Sequence, residues 1–157
     1  MGHNRREIRA LICSLLKNKT HAGNNVYNWR LFTLLDDCHY PNINVLTHEE
    51  NINSISTNNI MMERILKISV VISDLIDSKN QNKCDDISED VENILLSYNS
   101  QEYLFNLEKV EYFIDSETRK TIANCHMIFE CKYYTEVKKS NLLDEFNSLS
   151  LEVSNAN

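Results

Sequence analysis

The stretch Met62-Glu63-Arg64-Ile65-Leu66-Lys67-Ile68-Ser69-Val70-Val71-Ile72-Ser73-Asp74-Leu75 decides how the rest of the chain is read. Side chains two apart on a strand share a face. Leu66, Ile68, Val70 and Ile72 then form an unbroken apolar face, while Ile65, Lys67, Ser69, Val71 and Ser73 form a mixed one. The segment predicts a long strand with its first face turned to a core and its second face wetter.

Toward the C-terminus the same period returns in residues 121–134. Ala123, Cys125, Met127, Phe129, Cys131 and Tyr133 share one face, and Ile122, Asn124, His126, Ile128, Glu130, Lys132 and Tyr134 the other. Residues 104–114 read as its hairpin partner, with Leu107 followed by alternating Val110, Tyr112 and Ile114, and a polar turn at 115–120. Between the long strand and this hairpin lie a connector, 77–84, and a helix, 86–98. Ile87, Val91, Ile94 and Leu95 line one stripe of that helix, and Asp85, Asp86 and Glu89 suit its N-terminus.

Toward the N-terminus, residues 52–60 predict an extended arm or the start of a hairpin. Ile43–Thr47 reads as a short strand running into the polar His48-Glu49-Glu50-Asn51, and Val26–Phe32 as another strand. Residues 4–18 predict a helix whose stripe is Ile8, Leu11, Ile12, Leu15 and Leu16, ending at Lys17-Asn18-Lys19. These elements give an α+β fold: a two-layer sandwich of a mainly antiparallel or mixed β-sheet with two amphipathic helices packed on one face. Residues 1–137 read as a single domain. Residues 138–157 read as a C-terminal tail, with a short amphipathic helix around Leu142, Leu143, Phe146 and Leu149 and disorder from Ser154 onward.

The chain has 157 residues, 42% hydrophobic and 25% charged, the balance of a globular domain with its own core. Only 2 glycines and 1 proline argue against a turn-dense barrel and against a glycine-rich phosphate loop. A net charge of −7 does not suit general binding to duplex nucleic acid. Arg5, Arg6 and Arg9 form the one basic cluster; they read as the solvated side of the first helix in preference to a contact for DNA or an acidic partner. The 5 cysteines are odd in number and without CxxC spacing, which predicts reduced thiols in a cytosolic setting. No run approaches the ~18 apolar residues of a membrane helix, and the first ten residues lack a signal-peptide core.

Chemistry-bearing patterns are sparse. Cys38-His39 with His48 matches no common zinc spacing, so no metal is expected. Asp36-Asp37, Glu49-Glu50 and Asp85-Asp86 read as loop acids or helix caps, with a divalent cation held weakly between subunits as the alternative. No nucleophile elbow, phosphate loop, zinc-protease helix or dinucleotide fingerprint occurs. Cys125 and Cys131 lie on a core face and read as small hydrophobes. Tyr27 and Trp29 are candidates for base stacking, but packing of Trp29 against the first helix is the stronger expectation. The chain is therefore expected to be no enzyme and to need no cofactor.

Thr20-His21-Ala22-Gly23-Asn24-Asn25-Val26-Tyr27-Asn28-Trp29-Arg30, then Tyr40-Pro41-Asn42-Ile43-Asn44-Val45 and Glu49-Glu50, resembles a pattern of the tail terminator or minor tail protein U-like (tail completion) family of long-tailed bacteriophages. That pattern is an N-terminal helix, a T-x-A-G-x-x-V turn and strand, an arginine, a proline-led strand and an acidic end. The later order resembles the family too: long strand, connector, acid-capped helix, and a hairpin closing on aromatics, here Tyr133-Tyr134. The likeness covers residues 4–135. Leu31-Phe32-Thr33-Leu34, Cys38-His39-Tyr40 and the tail after Val137 depart from it.

The resemblance implies a structural virion protein that self-associates into a ring, commonly a hexamer. The ring caps the tail tube, stops its polymerisation and joins it to the head-tail connector or neck protein. DNA only passes through the channel, which an acidic lumen would leave unhindered. Assembly would take place in the host cytoplasm and the product would reside in the tail of a virion or phage-like particle, with no membrane partner. The alternatives are a neck or tail-completion adaptor that binds another ring and, further off, a small enzyme or a general interaction module. For the subunit or partner interface the resemblance points to Thr20, Gly23, Arg30, Glu49 and Glu50. Gly23 is expected to supply a backbone conformation closed to other residues. Arg30 is either a partner for an acid of the neighbouring subunit, with Glu49 or Glu50 as that acid, or an ordinary exposed strand residue.

Overall fold

The computed structural model describes residues 4–30, 39–55, 61–76, 82–98, 100–116 and 121–136. The expected C-terminal tail, Cys38 and the Asp36-Asp37 pair lie outside these residues. Helix α1 (Asn4–Leu16) buries Ile8, Ile12, Cys13 and Leu16, which recur at helical spacing. It stops where Asn18 takes a left-handed φ of 57°. The Lys17 N–H donates to the Cys13 carbonyl at 3.0 Å, and the Lys19 N–H to that of Leu16 at 3.2 Å, which satisfies the last turn.

The chain then enters a sheet of five strands. These are β1 (Val26–Asn28), β2 (Asn42–Ser54), β3 (Met61–Leu75), β4 (Leu104–Asp115) and β5 (Ile122–Glu136), with helix α2 (Lys83–Ser97) between β3 and β4. Their order across the sheet is β1-β2-β3-β5-β4. β1 runs parallel to β2, and every other pair is antiparallel. The sheet is thus mixed, and α1 and α2 pack on one face of it and on each other, α1 over β1 and β2, α2 over β3, β5 and β4.

The apolar faces read from the sequence are the ones that meet the helices. Leu66, Ile68, Val70 and Ile72 of β3 and Cys125, Met127, Phe129, Cys131 and Tyr133 of β5 join the helical stripes in one core. Burying each large side chain contributes about 1.5–3 kcal/mol, and these residues supply the bulk of the driving force.

Two segments differ from expectation. The strand predicted over Val26–Phe32 ends at Asn28, because Trp29 leaves the β-region with φ 56°. Arg30 is therefore no strand residue. β2 runs well past Thr47, through the polar stretch and on to Ser54, pairing with β3 as far as Ser54↔Met62. Residues 52–54 thus belong to a β2–β3 hairpin, the second of the two readings expected for them. The continuation depends on a bulge between Thr47 and Glu50 that sets two residues of β2, His48 and Glu49, against one of β3, Lys67.

Among the described residues no helix is long and apolar enough to cross a membrane.

Candidate functional site

The bulge determines which of two adjacent acids turns inward. Thr47 faces the helices opposite Ile68, and regular alternation would place Glu49 on that face next. The extra residue reverses the parity, so Glu50, opposite Leu66, points into the helical layer and Glu49 stays exposed. The Glu50 side chain is only 4% exposed. Its carboxylate accepts from Arg64 Nη1 at 2.9 Å and faces Arg5 Nη2 at 3.2 Å. The Tyr133 hydroxyl donates to its other oxygen. Arg64 is held in turn by Thr135, whose Oγ1 accepts from Nε at 2.8 Å. One carboxylate thereby ties α1, β2, β3 and β5 together. Burial, and then the bond to Glu50, push the Tyr133 phenol above its ordinary value, so it remains a donor.

Beside this knot lies a cleft of about 330 Å³ lined by Arg5, Arg6, Arg9, Trp29 and Thr47. Arg9 donates through Nε to Asn28 Oδ1 at 2.9 Å and through Nη1 to Thr47 Oγ1 at 2.8 Å. Its guanidinium carbon stands 5.0 Å from the centre of the Trp29 ring, in cation–π range. Both hydrogen-bond acceptors are neutral, and Arg9 has no ion pair with an acid among the described residues. Burial lowers its pKa, as does repulsion from Arg6 and Arg5, against an opposing pull from Cys13. Arg6 is exposed and makes no ion pair among the described residues. Trp29, expected to pack against the first helix, does meet Arg9 of α1, but it does so from the cleft wall and is 45% exposed.

A tryptophan in the left-handed region is strained by roughly 1–2 kcal/mol and persists only where its surroundings hold it there. Two neighbours do so. The Trp29 N–H donates to the Val45 carbonyl at 3.0 Å, the last rung of the β1–β2 ladder. The buried amide of Asn44 then clamps the next residue: its Oδ1 accepts from the Arg30 N–H at 3.0 Å, and its Nδ2 donates to the Arg30 carbonyl at 2.7 Å. The Arg30 guanidinium lies 4.6 Å from the centre of the Tyr27 ring.

The expected interface residues therefore fall in separate places. Thr20 and Gly23 shape the turn after α1. The Thr20 hydroxyl accepts from the Ala22 N–H at 3.3 Å, and the Gly23 N–H donates to the Thr20 carbonyl at 3.0 Å. Gly23 has φ +58°, the conformation expected to favour glycine, and a Cβ there would meet nothing within 4 Å. Arg30 sits beyond β1, Glu49 on the bulge, and Glu50 is engaged inside its own subunit. Sequence reading missed Asn44 and the joining of Trp29 to the arginines. The one available signal was the arginine spacing, which puts Arg5, Arg6 and Arg9 within about a turn of helix.

Chemically, the cleft offers planar N–H donors, positive charge on Arg6 and Arg9 that no acid among the described residues pairs, and an exposed aromatic wall. That combination suits a carboxylate or phosphate carried on a larger partner. No group of three or more His, Cys, Asp or Glu that could hold a metal ion occurs among the described residues. No protein-family model matches the chain, and no curated protein matches it.

Proposed function

We propose that this chain is a structural assembly protein of the phage tail terminator type, which associates into a ring, caps a tail tube and joins it to the head or neck. Assembly in the host cytoplasm and residence in a virion or phage-like tail follow from that reading. The observation that carries it is the sheet's outer strand. β4 is 12 residues long, lies at the end of the sheet and pairs only with β5 among the described residues. It exposes Leu104, Tyr112, Phe113 and Ile114, with Ile114 at 66%. Glu108, Lys109, Glu111 and a bulge between Leu107 and Lys109 blunt the middle of this edge, but its exposed apolar ends suit cover by another chain. At the opposite end β1 is 3 residues long. Two such unlike ends favour head-to-tail contacts, which form a ring when the rotation between copies closes.

The order helix, two strands, long strand, helix, hairpin agrees with the family pattern, and the turn at Thr20–Gly23 has the local geometry that its T-x-A-G sequence suggests. Light scattering across a concentration series, with and without magnesium, tests the reading, followed by addition of the protein to polymerising tail tubes. The expected result is a closed oligomer of discrete mass that arrests tube growth. A chain that neither associates nor affects tube growth overturns it. A monomer that binds a preformed neck ring would instead be an adaptor.

A further inference from the structure

The Arg cleft has a counterpart of opposite sign across the same layer. Asp85, Glu89 and Glu92 recur four and three residues apart on α2 and so share one side of the helix, with Leu96 a turn further on. That side faces away from α1. Asp90, on the other flank, approaches His21 just beyond α1 at 3.8 Å, whereas Ser88 interacts with Tyr112 of β4. None of Asp85, Glu89 and Glu92 has a basic partner among the described residues, and the last turn of α2 carries no basic residue. The acidic stripe thus runs along the β4 edge, beside the exposed Tyr112 and Ile114. The basic cleft lies at the β1 edge, four strand spacings or roughly 19 Å away.

We propose that the cleft formed by Arg6, Arg9 and Trp29 is a carboxylate-binding site for a second copy of this chain, which inserts the Asp85–Glu89–Glu92 side of its α2. This deepens the ring reading and rests on it. Charge complementarity chooses the occupant. Two copies that each carry −7 repel at long range, so the attraction is local: the positive cleft of one copy meets the acidic stripe of the other. Two clefts or two acidic stripes brought together would repel, and cleft and stripe lie at opposite edges of the layer, so seating one stripe in one cleft favours a head-to-tail contact. Trp29 and Arg9 are residue types that dominate interface energies when desolvated. In the contact Trp29 is covered, and the guanidinium groups of Arg6 and Arg9 gain the acids they lack among the described residues. Because ions screen the contact, raising salt to 1 M, where the Debye length is about 3 Å, dissociates it.

The test uses the full chain carrying Arg6→Glu, Glu89→Arg, or both. Arg6 and Glu89 are exposed and unpaired among the described residues, so each variant keeps the subunit fold, which far-UV circular dichroism checks. Sedimentation is read against concentration, with fluorescence of the one tryptophan as a second readout. Each single variant is expected to raise the half-association concentration about tenfold or more. The double variant, and an equal mixture of the two singles, should return to within about threefold of wild type, because reversed charges again face one another. Wild-type association should also shift Trp29 emission to the blue. Rings that form equally well in both single variants overturn the flank pairing and leave the ring reading intact. So does a double variant no better than the singles, or association without a change at Trp29. A wild-type chain that stays monomeric at every concentration overturns both.

Discussion

Arg64 and Glu50 face each other across the β2–β3 ladder at 2.9 Å, although Glu50 is paired in register with Leu66 and Arg64 with Ile52. The diagonal contact exists because the bulge turns Glu50 to the helical side, where Arg5 and the Tyr133 hydroxyl also reach it. Removing the carboxylate leaves two guanidinium groups and a phenol aimed at an empty space. Arg5 and Arg64 retain some solvent, which limits the loss. Glu50→Ala is expected to cost about 3 kcal/mol, and Glu50→Gln less, since its amide oxygen still accepts. Chemical denaturation at a concentration where the chain is monomeric measures both. An alanine variant as stable as wild type would refute the knot's role.

Gly23 is needed for its φ and not for space. With φ +58° and nothing within 4 Å of a built Cβ, Gly23→Ala meets only the left-handed penalty of roughly 1–2 kcal/mol. Gly23→Asn should cost less, because asparagine tolerates that region. Equal losses for the two would point to a packing requirement and against this account.

The fold was legible where local pattern and global packing agree. Period-two alternation assigned the faces of β3 and β5, down to the core positions of Leu66 and Phe129, and helical spacing placed α1 and α2. Legibility failed where a single residue changes parity or conformation. Alternation cannot reveal a bulge, so Glu49 and Glu50 looked equivalent, yet only one is buried. Trp29 has high strand propensity and sits in a strand-like context, but Asn44, far along the chain, holds the backbone of Arg30 and so helps to fix where the strand ends. The cleft combines both effects. Its arginines were visible as a cluster, while the tryptophan that makes it a site reaches it only through a left-handed turn.

The described thiols should be chemically quiet. Cys13, Cys84, Cys125 and Cys131 are all buried and unbridged. Burial pushes Cys84 up to about 12, helped by Asp74, and Cys131 to about 12; Cys125 and Cys13 are also raised by burial. A protonated, enclosed thiol is a poor nucleophile. In a Cys38→Ser background, labelling with a maleimide at neutral pH should be slow in the native state and complete after denaturation. Rapid labelling of any of the four would show that the core opens there.

His126 should make stability depend on pH just below neutrality. Its ring sits edge-on to Phe113 at 4.8 Å, paired in register with Val71 on one side and Glu111 on the other. Burial lowers its pKa first; Glu111 opposes that shift and His48 adds to it. As pH falls through the ordinary imidazole value near 6.5, the unfolded chain takes up a proton that the folded chain refuses. The unfolded state then binds more protons, so the free energy of unfolding falls with falling pH until the folded chain also protonates. His126→Phe keeps an aromatic ring against Phe113 and removes the titration. Its stability should vary less between about pH 7 and 5.5 than that of wild type. Parallel curves for the two proteins over that range would mean that His126 takes up its proton as readily folded as unfolded.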